Sequence, residues 1–337
     1  MRGTLNPART ENVLETPSPS FSTRATDGDA AAEVQRIVQR LDARLAELPV
    51  LPSMLVQLAA LDPEQPDYFD RVLALVNADP GFAVRLLRLA NAAGQQSTQT
   101  SRAIESTTAA LIKVGARAAV ELMLTAHAAR IFPARLDWQR DLWMHSILAA
   151  HFMRRLAPFV RDYPLDMNEA YLAGLLHDIG RFLLFLEAPE PFREVGEGDW
   201  DTPQALLEAE HGCCGYTHAE LGALALGKWG MGDTLALVAR DHHRDAGAHG
   251  GQQRALLELL RDVDWLALRV ARDGIAWFEQ PLEAIDAQLS AHMVSHYRGD
   301  LTHRLNVLRQ AAGEALRLAA ALGVGWELSA GAPSAPA

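Results

Sequence analysis

The sequence predicts an all-α protein, on three observations. Apolar residues recur at spacings of three and four along most of the chain, the signature of helices that each bury one face. Glycine and proline punctuate these stretches where helices begin or end. No alternating apolar and polar run long enough for a strand interrupts them. With 337 residues, 49% of them hydrophobic, the chain can bury one large core or two smaller ones.

Residues 1–30 are rich in Thr, Ser, Pro, Asn and Asp and show no sustained period, which predicts a disordered tail. Over 32–48, Val34, Ile37, Val38, Leu41, Leu45 and Leu48 keep helical spacing until Pro49 and Pro52 interrupt it. A short helix is expected at 54–61 and another at 68–76, ending near Asn77-Ala78. Asp79-Pro80 opens the next one. Aspartate is a good N-cap, and proline at the first helical position lacks an N–H that would be unpaired anyway. Phe82, Val84, Leu86, Leu87 and Leu89 follow, with Gly94 as the stop. Further helices are expected at 107–114, 117–131, 138–156, 167–186, 203–210, 217–228, 234–243, 252–272 and 282–322. The Ser/Ala/Gly/Pro stretch 329–337 cannot bury a core face and reads as a second tail. Character changes near Pro133: His127 is the only histidine before it, and the helices there are short and rich in Leu and Ala. This divides the expected fold into a helical subdomain at 31–132 and a second at 133–328, packed as one unit.

Charge and cysteine usage narrow the function. The formal charge is −11 and no long basic cluster offsets it, which argues against a nucleic-acid partner. The stretch 107–125 has the outline of a helix-turn-helix around Gly115, but its second helix offers only Arg117 and Glu121 as charged residues, too few to read bases. Cys213 and Cys214 are adjacent, so no disulfide framework is expected; flanking Gly212 and Gly215 suggest a tight structural turn. An apolar signal-peptide core and an 18-residue apolar run are both lacking, so no membrane partner is expected and the localisation expected is cytoplasmic.

The chemistry concentrates around His177-Asp178, within Leu175-Leu176-His177-Asp178-Ile179-Gly180-Arg181. Neutral imidazole suits borderline transition metals, and a carboxylate can bind one ion or bridge two. Asp141 and His145 stand four apart, on one face of a helix. His218, His242, His243 and Asp264 lie on later expected helices, so any site must be assembled from several elements rather than from a compact finger. His242 and His243 would point about 100° apart on a helix, so only one is expected to face the site. His127, His151, His211, His249, His292, His296 and His303 read as surface or packed residues, and Trp138, Trp143, Trp229 and Trp265 as core.

The set His145, His177-Asp178, His242 resembles the HD superfamily of metal-dependent phosphohydrolases. Leu51-Pro52-Ser53, the run Asp79-Pro80-Gly81-Phe82-Ala83-Val84-Arg85-Leu86-Leu87-Arg88-Leu89-Ala90-Asn91-Ala92 and the 109–122 segment with Val114-Gly115 resemble its HDOD branch. So do His218-Ala219-Glu220-Leu221-Gly222-Ala223, Trp229 and His242-His243. The resemblance implies a multi-helical bacterial signalling and regulatory domain of two packed subdomains, related to the HD-GYP phosphodiesterases that cleave cyclic di-GMP. It also implies that His145, His177, Asp178, His218, His242 and Asp264 fall at metal-ligand positions. Asp141 stands where those enzymes often have a glutamate, and Arg181 replaces a phosphate-contacting lysine. No Gly-Tyr-Pro element follows His242-His243, which speaks against cyclic di-GMP itself.

Two readings follow. In the leading one, the chain is an HDOD regulatory module acting through contacts with a signalling protein. Its HD site would hold one or two divalent transition-metal ions (iron, manganese or zinc) among Asp141, His145, His177, Asp178, His218, His242, His243 and Asp264. In the alternative, it is a metal-dependent phosphohydrolase or phosphodiesterase acting on a nucleotide or cyclic dinucleotide, with Asp178 as bridge and Arg181 meeting the phosphate.

Overall fold

A computed structural model describes residues 57–58, 60–92, 104–161, 163–198, 200 and 202–324. The expected tails at 1–30 and 329–337, the 32–48 helix and Gly94 lie outside the described residues, as does half of 54–61. The helices are α1 (Tyr68–Ala78), α2 (Pro80–Ala92), α3 (Thr107–Val114), α4 (Ala116–Ile131), α5 (Asp137–Leu156), α6 (Met167–Leu176) and α7 (Ile179–Glu187). They continue with α8 (Pro189–Glu197), α9 (Pro203–Cys214), α10 (His218–Lys228), α11 (Asp233–Asp241), α12 (Gly251–Asp273), α13 (Leu282–His292) and α14 (Leu301–Leu322). Among the described residues the only β-pairing is an isolated bridge between Val160 and Tyr297. The all-α expectation holds.

The core is built around α5, which packs against α6, α12 and α14. Its Trp143, Ile147, Leu148, Phe152 and Met153 are fully buried, each such side chain contributing roughly 1.5–3 kcal/mol. Two close approaches position the site. A Cβ on Gly174 would lie 2.7 Å from the backbone of Ala149 and Ala150, so α6 meets α5 backbone to backbone. A Cβ on Gly180 would lie 1.9 Å from the carbonyl oxygen of His218, which seats α7 directly on α10. Start signals also behave as expected. The Asp79 carboxylate accepts the Phe82 N–H at 3.1 Å and caps α2.

Several expected elements differ. The 167–186 helix is broken into α6 and α7, with His177-Asp178 at the junction and Asp178 at φ −99°, ψ 10°. No Gly or Pro marks that break. The 282–322 helix is likewise two, because a buried carboxylate offers the backbone a better partner. Asp262 accepts the Val294 N–H at 2.7 Å, the Ser295 N–H at 3.0 Å and the Tyr297 hydroxyl at 2.7 Å, holding the turn between α13 and α14. α8 was not anticipated from the pattern. α9 runs four residues beyond the expected 203–210, to Cys214, and ends at Gly215 in the left-handed region at φ 81°. Cys213-Cys214 therefore close a helix instead of forming a turn. No described helix is long and apolar enough to cross a membrane.

Candidate metal centre

Five elements bring the predicted residues together. His145 comes from mid-α5, His177 and Asp178 from the α6–α7 junction and His218 from the first turn of α10. His242 and His243 follow the end of α11, and Asp264 lies on α12. Thr217 caps α10, accepting the Glu220 N–H while the Glu220 carboxylate accepts the Thr217 N–H, and this fixes where His218 starts its helix.

The donors form two groups that share Asp178. On one side, His145 Nε2 lies 3.2 Å from His177 Nε2 and 2.9 Å from Asp264 Oδ1. His177 Nε2 lies 3.5 Å from Asp264 Oδ1 and 3.7 Å from Asp178 Oδ2. On the other side, Asp178 Oδ1 lies 3.3 Å from His218 Nε2 and 3.4 Å from His242 Nε2. His218 Nε2 is 3.3 Å from His242 Nε2 and 3.2 Å from His243 Nε2. Donors about 2.0–2.2 Å from a common ion stand roughly 3 Å from one another, so both groups have the spacing of ligands around a centre. Each carboxylate oxygen of Asp178 faces a different group.

Three of the remaining ring nitrogens are held from behind. Gly174 O accepts from His177 Nδ1 at 2.9 Å and Ala239 O accepts from His242 Nδ1 at 2.9 Å. A carbonyl can only accept, so Nδ1 carries the proton and Nε2 is turned inward as a potential donor to an ion. Glu210, fully buried, does the same for His218: its Oε2 accepts from Nδ1 at 2.7 Å and from the His218 backbone N–H at 2.9 Å. His145 Nδ1 is buried with no partner.

Electrostatics point the same way. Burial pushes the Asp178 carboxyl up, but His177, His218 and His242 outweigh it and hold it well below the usual carboxylate range. Asp264 is similarly lowered by His145 and His177 against its burial. Burial opposes a charge on His218, yet Glu210 and Asp178 push it up to about 9; Asp178 and Asp264 likewise raise His177. Burial, only partly offset by Asp178, lowers His242, and burial with His242 and His218 pushes His243 down to about 2. The buried carboxylates thus demand positive charge where the Nε2 atoms converge, and protons supply it when nothing else does. A divalent cation would replace them, so the residues fit a metal.

Most of the predicted residues converge, with two corrections. Asp141 joins neither group: it is exposed on α5, where burial and then Asp137 raise its carboxyl and Arg140 opposes them. Lying one turn from His145 does not bring its carboxylate to the other donors. His242 and His243 both face the site: they follow the end of α11 at Asp241, and their Nε2 atoms lie 3.3 and 3.2 Å from His218 Nε2. Arg181 sits half-buried in the first turn of α7, its Nε buried without a partner. Glu210 was missed. In the sequence it is one of two acids in α9, with Glu208, and only its complete burial sets it apart.

Three of the seven histidines expected to be surface or packed residues have partners outside the two groups. His127 bonds Met123 O, His151 faces Glu314 and His292 stacks on Trp265. Trp138 and Trp143 are buried among Phe182, Phe185 and Phe192.

An all-α bundle whose His-Asp junction sits between clustered imidazoles defines a domain of the HD type. The HDOD domain family matches residues 48–245, and the chain belongs to that family. The match contains every site residue except Asp264. An uncharacterized protein of Treponema pallidum (strain Nichols) is 27% identical over 222 residues, covering 63% of this chain and 41% of that protein. This chain therefore spans well under half the length of that curated relative. Three solved structures share the fold. A Shewanella amazonensis SB2B protein named "Putative phosphohydrolase" has a TM-score of 0.60 at 21% identity, covering 84% of this chain and 97% of that one. A Marinobacter aquaeolei VT8 "Putative signal transduction protein" has 0.57 at 20%, covering 88% and 66%. An HDOD domain protein with unknown function from Geobacter sulfurreducens has 0.54 at 20%, covering 85% and 94%.

Proposed function

We propose that this HDOD protein acts in bacterial cytoplasmic signalling as a metal-dependent phosphohydrolase with two divalent transition-metal ions. One observation carries the reading: the two oxygens of Asp178 face two separate clusters of inward-turned imidazole nitrogens. His145, His177, Asp178 and Asp264 would hold one ion, and Asp178, His218, His242 and His243 the other. Imidazole-rich ligation favours iron, manganese or zinc. Ions bound there would supply Lewis acidity and a water acidified towards neutrality.

The chain's own groups do the rest. Asp178 sets the spacing of the two positions, while Glu210, Gly174 O and Ala239 O orient the imidazoles. Arg181 is the candidate phosphate contact, a planar donor with an unpartnered nitrogen. The substrate class is a phosphoester of a nucleotide or cyclic dinucleotide. The fold shared with a protein named as a phosphohydrolase agrees with this chemistry.

A second reading keeps the ions but gives them a structural role in a module that contacts a signalling protein. The complete burial of the His177 and His218 side chains favours it, since buried ligands leave little room for substrate. Metal content per chain, measured on protein purified without chelator or air, tests both. About two ions per chain, absent from His177→Ala/Asp178→Ala, together with turnover in a phosphoester screen, is the expected result. Loaded protein without turnover selects the structural role, and folded metal-free protein overturns both readings.

A further inference from the structure

Cys213 and Cys214 take no part in the site just described, yet they stand three and four residues after the carboxylate that holds His218. Both are half-buried in the last turn of α9, immediately before the left-handed Gly215. Their sulfurs lie 2.9 Å apart, and the Cys213 thiol donates to Glu210 O at 3.4 Å. Successive side chains of a helix diverge, so both rotamers must turn inward to bring the sulfurs this close. Gly212 leaves the turn lightly packed, since a Cβ there would meet nothing within 4 Å. A helix end with glycine on both sides of the pair can leave helical geometry at small cost.

We propose that Cys213-Cys214 is a reversible oxidation site, closed to a vicinal disulfide by a low-molecular-weight disulfide, and that closure loosens the hold of Glu210 on His218. In the first exchange, one cysteine thiolate attacks a sulfur of the small disulfide, forming a mixed disulfide and releasing one small thiol. The neighbouring thiolate then attacks the protein sulfur and releases the second. The pair loses two electrons and two protons, which leave on the two small thiols. Adjacent cysteines fit the preferred disulfide geometry poorly, so the closed form is strained and readily reduced, a property suited to a switch rather than a brace. Closing the ring draws the last turn of α9 out of helical geometry. The Cys213 bond to Glu210 O goes with it, and the Glu210 carboxylate is displaced from the Nδ1 and backbone N–H of His218.

The closure stands independently of the metal reading; only its consequence at His218 bears on that reading. The chain has just these two cysteines, so thiol counting reports on them alone. Metal-free full-length protein is treated with oxidised glutathione, and free thiols, intact mass and hydrogen exchange are followed. The expected result is loss of both thiols with loss of two hydrogen atoms, no adduct and no dimer, reversed by dithiothreitol. Exchange of the His218 amide should then quicken by roughly tenfold, the change implied by losing one hydrogen bond to a charged acceptor. Cys214→Ser and Cys213→Ser should each instead retain one glutathione. A stable glutathione adduct on the unsubstituted protein, a disulfide-linked dimer or two persisting thiols would overturn the oxidation site. Closure with unchanged exchange at His218 would overturn the coupling.

Discussion

At the scale of single residues, the candidate ligands are oriented by groups that stand behind them and take no position around an ion themselves. Glu210 is the clearest case, a fully buried acid whose visible role is to orient one imidazole. Partners of this kind typically govern metal affinity more than folding. We expect Glu210→Gln to stay folded and to bind metal roughly tenfold to a hundredfold more weakly, checked by titration against a competing chelator. Unchanged affinity would mean that His218 is held by other means. His177 and Asp178 were legible as a dipeptide with known ligand chemistry, whereas Glu210 had no such signal. Its meaning comes from a fold that brings an α9 side chain against the start of α10.

Helices place the candidate ligands, and glycines set how closely the helices approach. Gly180 and Gly222 face each other where α7 crosses α10, and at Gly180 any side chain would strike the His218 backbone. Gly180→Ala should therefore destabilise the protein by at least about 2 kcal/mol in urea unfolding, because backbone cannot yield as a flexible side chain would. Gly227, also on α10, has open space at its Cβ position. Gly227→Ala should stabilise by up to about 1 kcal/mol through helix propensity alone. Equal effects from the two changes would contradict the close approach. Most helices were legible from their periodicity, including α3 at its observed bounds. The junction at His177-Asp178 and the turn held by Asp262 were not, since each lies within a run whose apolar spacing carries on unbroken.

Across the described molecule, α5 links the candidate centre to α14. Glu314 on α14 accepts two hydrogen bonds from Arg155, at 2.8 and 2.7 Å, and faces His151 at 3.8 Å. Burial pushes its carboxyl up, but His151 and Arg155 outweigh that and hold it at about 2, below the ordinary 4.5. The unfolded chain therefore takes up this proton more readily than the folded one. The resulting stability is full above pH 4.5 and is lost as pH falls through about 2. Glu314→Gln should be less stable than the unsubstituted protein near neutrality and equal to it at the acid end, by a modest margin because the pair is part-exposed and screened. A difference that stays constant from pH 7 to about 2 would rule this origin out.

What the sequence determined by itself was the all-α class, the order of most helices and the residue types able to hold a metal. Each of these follows from local spacing and side-chain chemistry. Only the tertiary structure decided that Asp178 stands between two clusters and that Asp141 stays outside them. It also decided that His242 and His243 both turn inward, that Glu210 sits behind His218 and that the cysteine pair closes the helix that carries Glu210. Such facts depend on which helices approach, how closely, and where each one ends. Those are settled by packing and by the pairing of buried polar groups between segments far apart in the chain.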